Sequence, residues 1–312
     1  MKFAFIFPGQ GSQSLHMMDK LKDHHAVKEI FYIAQNILHV DFLKMLANST
    51  ADEINQTTIT QPLMLCSGYA TYATWCTLTN KTPSILAGHS LGEWIAMIAS
   101  GVLSFEDALH VVNLRAQYMQ SEADKTNGAM AAVIGLDKDN VNIVCNEIAH
   151  QENGVIAGVN FNSKEQVVIA GEIRLINIAI DKLKQRGAKR VQILPVSVPS
   201  HCMLMKPAAE KLSKEINNVK FSPPKIPILH NISGLSYNNV EDIKNALIQQ
   251  LYSPVLWVSI IENMVKQEVT TIIECGPGKI LSNLNKRIDG RINNYNIHSI
   301  EDVNAINNIL NQ

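Results

Sequence analysis

The chain carries no block of like charge. Its 27 Lys and Arg residues face 28 Asp and Glu residues, a formal net charge of −1 over 312 residues. A nucleic-acid binder usually presents a basic face, so no nucleic acid is expected as a partner. No apolar run reaches the length that spans a bilayer, and no membrane association is expected. The apolar stretch Phe3 to Phe7 stops at Pro8-Gly9. That is too short for a signal-peptide core with its cleavage site, and it reads as a first strand. The five cysteines, Cys66, Cys76, Cys145, Cys202 and Cys275, are odd in number and have no paired spacing. They suit reduced thiols, and hence a cytoplasmic protein, rather than a disulfide framework. The ten histidines include no H-E-x-x-H and no Cys/His cluster, so no metal is expected. Internal repeats and low-complexity tracts are also missing. What remains is 46% hydrophobic and 18% charged residues. That composition can bury a sizeable core, as one large α/β domain or a large domain carrying a small one.

The most informative stretch is Ser84-Ile85-Leu86-Ala87-Gly88-His89-Ser90-Leu91-Gly92-Glu93-Trp94. It reads as a buried strand, a sharp turn and an apolar helix. The turn fits G-x-S-x-G, the pattern of a nucleophile elbow. Gly88 and Gly92 flank Ser90 because a side chain at either place would collide with the neighbouring strand or helix. The serine hydroxyl is then presented at a sheet end, beside N–H groups that can stabilise an anion.

Before the elbow, Phe3 to Phe7 does not alternate and predicts a central strand buried on both faces. Pro8-Gly9-Gln10-Gly11-Ser12-Gln13 follows as a loop that can bring N–H groups to a ligand, and equally reads as an ordinary turn. Asn48-Ser49-Thr50-Ala51-Asp52-Glu53 reads as a helix start with an acidic first turn, and Gln61-Pro62 is expected to open a long helix through Thr79. Ser104 to Asp107 starts another, running to about Glu122. Arg115 lies on it among apolar neighbours. Periodicity alone favours a surface arginine, and a buried one would need a partner.

From Ala129 the rhythm changes. Strands at Ala129 to Ile134, Val155 to Asn160, Gln166 to Ala170 and Arg190 to Leu194 enclose helices at Asp139 to Ala149 and Glu172 to Arg186. The order β-α-β-β-α-β is that of a ferredoxin-like unit. The expected division is 1–126 with 198–312 as a large catalytic domain, and 127–197 as an inserted small subdomain. After the return linker comes His201, opening a helical region; a lone histidine is more often structural. The rest alternates again: a strand at Ile226 to Leu229, helices at Val240 to Leu251 and Val255 to Gln267, a strand at Thr270 to Glu274, a helix after Gly276-Pro277-Gly278, a strand near Ile297 and a last helix.

These pieces form an ordered series: Phe7-Pro8-Gly9-Gln10-Gly11-Ser12-Gln13, Gly88-His89-Ser90-Leu91-Gly92-Glu93, Arg115 with Gln117-Tyr118-Met119-Gln120, Asn160-Phe161-Asn162-Ser163 before Gln166 to Gly171, Pro199-Ser200-His201, His230-Asn231, Gln250 to Trp257, and Glu274-Cys275-Gly276-Pro277-Gly278. The series resembles the malonyl-CoA:acyl carrier protein transacylases of fatty-acid synthesis, across nearly the whole chain. One departure is Trp94, where that family usually carries tyrosine. The resemblance implies an α/β hydrolase-like core with a parallel sheet, interrupted by a ferredoxin-like α+β subdomain, with the site in the cleft between.

It further implies a Ser–His dyad: Ser90 as nucleophile and His201 as general base, oriented by a main-chain carbonyl near Gln250 rather than by a carboxylate. Backbone N–H groups of Gln10 and Leu91 would form the oxyanion hole. Arg115 would bind the free carboxylate of a malonyl group, with Gln250 and Asn160 as further substrate-binding residues. The implied reaction is ping-pong. Malonyl-CoA, as substrate rather than bound cofactor, acylates Ser90, and the phosphopantetheine thiol of acyl carrier protein takes the group off. An acidic carrier protein would meet basic residues such as Lys184, Arg186, Lys189, Arg190, Lys279, Lys286 or Arg287. Two alternatives stand beside this reading: an acyltransferase serving a polyketide synthase, and a serine esterase or thioesterase, for which His298 would be the base.

Overall fold

The structure is a computed structural model and describes residues 2–311. Its centre is a parallel sheet of five strands in the order β7-β2-β1-β8-β9, formed by β1 (Phe3–Phe7), β2 (Ile85–Gly88), β7 (Ile228–Leu229), β8 (Thr271–Cys275) and β9 (Asn293–Ile297). The strand β1 is flanked on both sides, with Phe7 opposite Gly88 and Ile6 opposite Glu274. All five of its residues are buried, as the non-alternating sequence requires. Phe3, Phe5 and Phe7 face one core, where Phe5 meets Trp75 edge-on at 5.1 Å, and Ala4 and Ile6 face the other. Helices Thr57–Leu78, Gly92–Ala99 and Phe105–Ala123 supply the first core; Trp257–Lys266 and Ile280–Ile288 supply the second.

A second sheet, in the order β4-β5-β3-β6, is antiparallel throughout: β3 (Gly128–Ile134), β4 (Ile156–Ser163), β5 (Gln166–Glu172) and β6 (Arg190–Ile193). With helices Lys138–Glu152 and Ile173–Gln185 it has its own apolar core. Its strand order is the one a β-α-β-β-α-β unit adopts when it folds as a ferredoxin-like sheet. The strand β4 also pairs with the segment that leads into helix Trp257–Lys266. There Val255 N–H donates to Val159 O at 2.8 Å, and Phe161 N–H donates to Val255 O at 3.0 Å. Asn160, between them, is thereby fixed against the Val255 segment.

Several expected boundaries shift, each for a local reason. The long helix opens at Thr57, not at Gln61-Pro62, so Pro62 lies inside it and its missing N–H leaves the fourth carbonyl back without a helical partner. Val255 is claimed by its pairing with β4, so the helix expected from it starts at Trp257. The strand expected from Ile226 is only the pair Ile228–Leu229. Past His201 the chain makes a short 3-10 turn, Met203–Met205, before helix Lys206–Asn218, whose first turn holds Pro207.

Candidate active site

The elbow is built by close backbone approach. A Cβ on Gly88 would lie 1.9 Å from Gly92 C, and one on Gly92 2.0 Å from Phe7 O. Only hydrogen fits at either position, so the helix N-terminus seats directly on β1 and β2. The turn between them forces Ser90 to φ +52°, a left-handed conformation that a residue with a side chain adopts at a cost of about 1 kcal/mol or more. Asn231 holds it there: its Oδ1 accepts from Ser90 N–H at 2.7 Å, and its Nδ2 donates to Gly88 O at 2.6 Å. Gln250 Nε2 donates to Ser90 O at 2.9 Å.

His201 comes from the far end of the chain's excursion through the second sheet. It too is left-handed, at φ +67°, and its N–H donates to Leu251 O at 2.9 Å. Its Nδ1 lies 2.6 Å from Gln250 O and its Nε2 lies 2.8 Å from Ser90 Oγ. A carbonyl oxygen can only accept, so the ring hydrogen sits on Nδ1 and the Nε2 lone pair faces the hydroxyl. Burial, and then the neighbouring Arg115 charge, push the imidazole down to about 3 from its ordinary 6.5. The ring is therefore neutral at physiological pH and free to take a proton.

Arg115 is 1% exposed, so the surface placement that periodicity favours does not hold. Its side chain reaches Gln61 Oε1 at 2.6 Å, Gln250 Oε1 at 3.0 Å and Ser90 Oγ at 3.4 Å. None of these partners is a carboxylate, and its Nε has no partner among the described residues. Burial lowers the guanidinium to about 10, with the charge of Glu93 opposing, so it stays protonated at neutral pH. A buried cation with only amide and hydroxyl partners is a site prepared for an anion.

The cleft in front of these groups is lined by Gln10, Ser90, Leu91, Arg115, Asn160 and His201, with Met130 and Val198 among its apolar walls. The Gln10 loop approaches the elbow so closely that a Cβ on Gly9 would meet His89 O at 2.4 Å and Leu91 N at 3.6 Å. Neither the Gln10 nor the Leu91 backbone N–H donates to another protein group among the described residues. Asn160 Oδ1 is buried without a partner. His89 Nε2 lies 2.9 Å from Asn162 Oδ1, and burial lowers its pKa.

All seven sequence-predicted residues converge here, six on the cleft and Gln250 directly behind it. His298 does not: it lines a separate hollow with Ser14, His16 and Asp19. Of the expected basic rim, Arg186 donates to Asn140, Lys189 faces Glu165 and Arg287 donates to Gln166; none lines the cleft. Sequence reading missed Gln61, seen only as a helix start, and gave no role to Glu93, His230 or Asn231. A buried polar residue beside Pro62 was the available signal for Gln61; its partner is 54 positions away.

The elbow and parallel sheet, with an imidazole and a guanidinium at one serine, define an α/β protein of the acyltransferase class. A family model described as acyl transferase domain matches residues 4–288. The malonyl CoA-acyl carrier protein transacylase of Escherichia coli (strain K12) is 43% identical over 288 residues, covering 92% of this chain and 93% of the relative. That of Haemophilus influenzae is 40% identical over 311 residues, 99% of each chain. The solved malonyl CoA-acyl carrier protein transacylase of Coxiella burnetii superposes with a TM-score of 0.97 at 37% identity, over 100% of this chain and 98% of that one. A second structure, a malonyl-transacylase in complex with its type II polyketide acyl carrier protein, gives 0.95 at 38% identity, covering 100% of both chains. The chain belongs to the acyl transferase family and, within it, to the malonyl CoA-acyl carrier protein transacylases.

Proposed function

We propose that this protein moves a malonyl group from malonyl-CoA to the phosphopantetheine thiol of acyl carrier protein, supplying fatty-acid elongation, through an ester on Ser90. The observation that carries the reading is a single hydroxyl 2.8 Å from His201 Nε2 and 3.4 Å from a buried, carboxylate-free Arg115. His201 takes the Ser90 proton as Oγ bonds to the thioester carbonyl. The oxygen of the tetrahedral intermediate is received by the N–H groups of Gln10 and Leu91, where losing one donor typically costs about 3–4 kcal/mol. The carbon–sulfur bond then breaks, and His201 returns its proton to the departing CoA thiolate. The carrier thiol repeats the sequence in reverse, its sulfur displacing Ser90.

Specificity follows from Arg115, whose two terminal nitrogens can pair with the free carboxylate of malonyl. Asn160 supplies a further polar contact to the substrate: its unpartnered Oδ1 can accept from an amide N–H of the phosphopantetheine arm. The cleft, of about 110 Å³, brings Ser90, Arg115 and His201 to one space together with the Gln10 loop. The chemistry drawn from these residues needs no resident cofactor, and among the described residues no group of His, Cys, Asp and Glu is arranged for a metal. We read residues 127–197 as a small subdomain inserted into a catalytic domain of 1–126 and 198–312, and the protein as cytoplasmic. Among the described residues no helix is long and apolar enough to cross a membrane.

The test is intact-mass analysis after mixing with malonyl-CoA. A malonyl adduct on Ser90, discharged by carrier protein bearing phosphopantetheine, is the expected result. An adduct elsewhere, or one released to water but never to the thiol, would refute the reading.

A further inference from the structure

Behind the cleft lies a set of buried polar groups that this chemistry does not use. Glu93 stands in the first turn of helix Gly92–Ala99, 1% exposed, beside Trp94, Ile95, Ala96 and Met97. An acid buried among such neighbours must be matched by donors. Three reach it: His230 Nδ1 is 2.7 Å from Oε1, Gln250 Nε2 is 2.6 Å from Oε2, and Asn231 N–H is 3.3 Å from Oε2. His230 is fully buried, stacked on Tyr237 at 4.7 Å. Nothing meets its Nε2 among the described residues, which puts the ring hydrogen on Nδ1, toward Glu93.

The Gln250 amide is thus held at both ends. Its nitrogen donates to Glu93 and, at 2.9 Å, to Ser90 O, and its oxygen accepts from Arg115 Nη2 at 3.0 Å; of the two acceptors at the nitrogen end, Glu93 is the charged one. A primary amide can turn over and present its NH2 to the guanidinium, donor against donor. An anion behind the nitrogen end opposes that orientation. The backbone carbonyl of the same residue holds His201 Nδ1 at 2.6 Å. One glutamine therefore sits between a buried acid on one side and both the guanidinium and the imidazole on the other.

We propose that Glu93 is a positioning residue for acyl selection: acting through Gln250, it fixes the amide orientation that aims Arg115 at the carboxylate of the incoming group. This rests on the function proposed above and adds to it a residue that touches neither substrate nor reacting atoms.

The experiment measures kcat/KM for Ser90 acylation by malonyl-CoA and by acetyl-CoA in the full chain. Glu93→Met keeps the length and removes the carboxylate acceptor behind Gln250, leaving Ser90 O as the only partner of that nitrogen among the described residues. The malonyl-to-acetyl ratio is expected to fall about 10-fold or more, the scale of a buried hydrogen bond to a charged group. Glu93→Gln keeps an acceptor, folds with less risk, and should lower the ratio by about 3-fold. In an Arg115→Ala background neither substitution should move the ratio further, because the effect passes through that guanidinium. Should Glu93→Met not fold, Glu93→Gln decides. An unchanged ratio, with wild type still preferring malonyl, overturns the role of Glu93 alone, as does an equal loss for both substrates. Absence of any malonyl ester on wild-type Ser90 overturns the function, and this inference with it.

Discussion

The two sheets of this molecule do different work, and the contrast lies in which side chains each backbone presents to the cleft. At the C-terminal ends of the parallel strands, hydrogen atoms are all that fit at Gly88 and Gly92, and two non-glycine residues, Ser90 and His201, are held at positive φ. The buried side-chain atoms without a partner among the described residues, Arg115 Nε and Asn160 Oδ1 among them, also gather there. In the antiparallel sheet the edge strand β6 is largely exposed, Gly187 in the turn before it has open space around it, and charges such as Lys189 and Glu165 meet at the surface. That sheet contributes one wall of the cleft, through Met130 and Asn160. The small sheet has tight points too, such as Gly171, where a Cβ would lie 2.2 Å from Val155 O; what sets the first sheet apart is that its two strained non-glycine residues carry the hydroxyl and the imidazole.

Substitutions can break or sharpen this contrast. The largest effect is expected at His201: removing the base by His201→Ala should slow Ser90 acylation by about 10³-fold or more, while His298→Ala leaves it within about 2-fold. Single-turnover acylation followed by mass would check both, and the reverse pattern would restore the hydrolase reading. Next comes the elbow. Gly92→Ala places a methyl 2.0 Å from Phe7 O and should cost about 3 kcal/mol or prevent folding. Gly187→Ala, in the turn between helix Ile173–Gln185 and β6, meets no atom within 4 Å, has only its φ of +105° to resist it, and should cost about 1 kcal/mol in a urea melt.

A third test uses pH. His201 is lowered to about 3 from 6.5, so between those values the unfolded chain binds a proton that the folded chain refuses. Stability from this group is complete above 6.5 and is lost as pH falls toward 3. For activity, kcat/KM should show no histidine limb near 6.5, because the base remains neutral in the free enzyme. An acid limb centred there would mean that the imidazole is far better solvated. The smallest effect belongs to the small sheet's surface: Glu165→Gln should change stability by less than about 0.5 kcal/mol, read by thermal melting.

What was legible in the sequence follows the same division. Phe3 to Phe7 and the elbow could be read because the determining contacts are local: a strand with no alternation, and glycines two positions either side of a serine. The ferredoxin-like order was legible from the change of rhythm after Gly128. Arg115 was misplaced by periodicity, since a helix pattern says which face is apolar and not whether a partner waits inside the core. The amide partners of Arg115 lie 54 and 135 positions away, and the side-chain partners of Glu93 137 and 157. No window along the chain contains such pairs; the resemblance to a family supplied some of their members, and the fold alone supplied their contacts.

The central claim is that a buried guanidinium beside Ser90 selects a carboxylated acyl group. The most direct measurement compares Ser90 acylation by malonyl-CoA and acetyl-CoA in wild type and Arg115→Ala. The account predicts that malonyl transfer falls by about 100-fold while acetyl transfer holds or rises, because a charge-assisted pair is lost from one substrate only. Equal losses for the two substrates would contradict it and make Arg115 a structural residue.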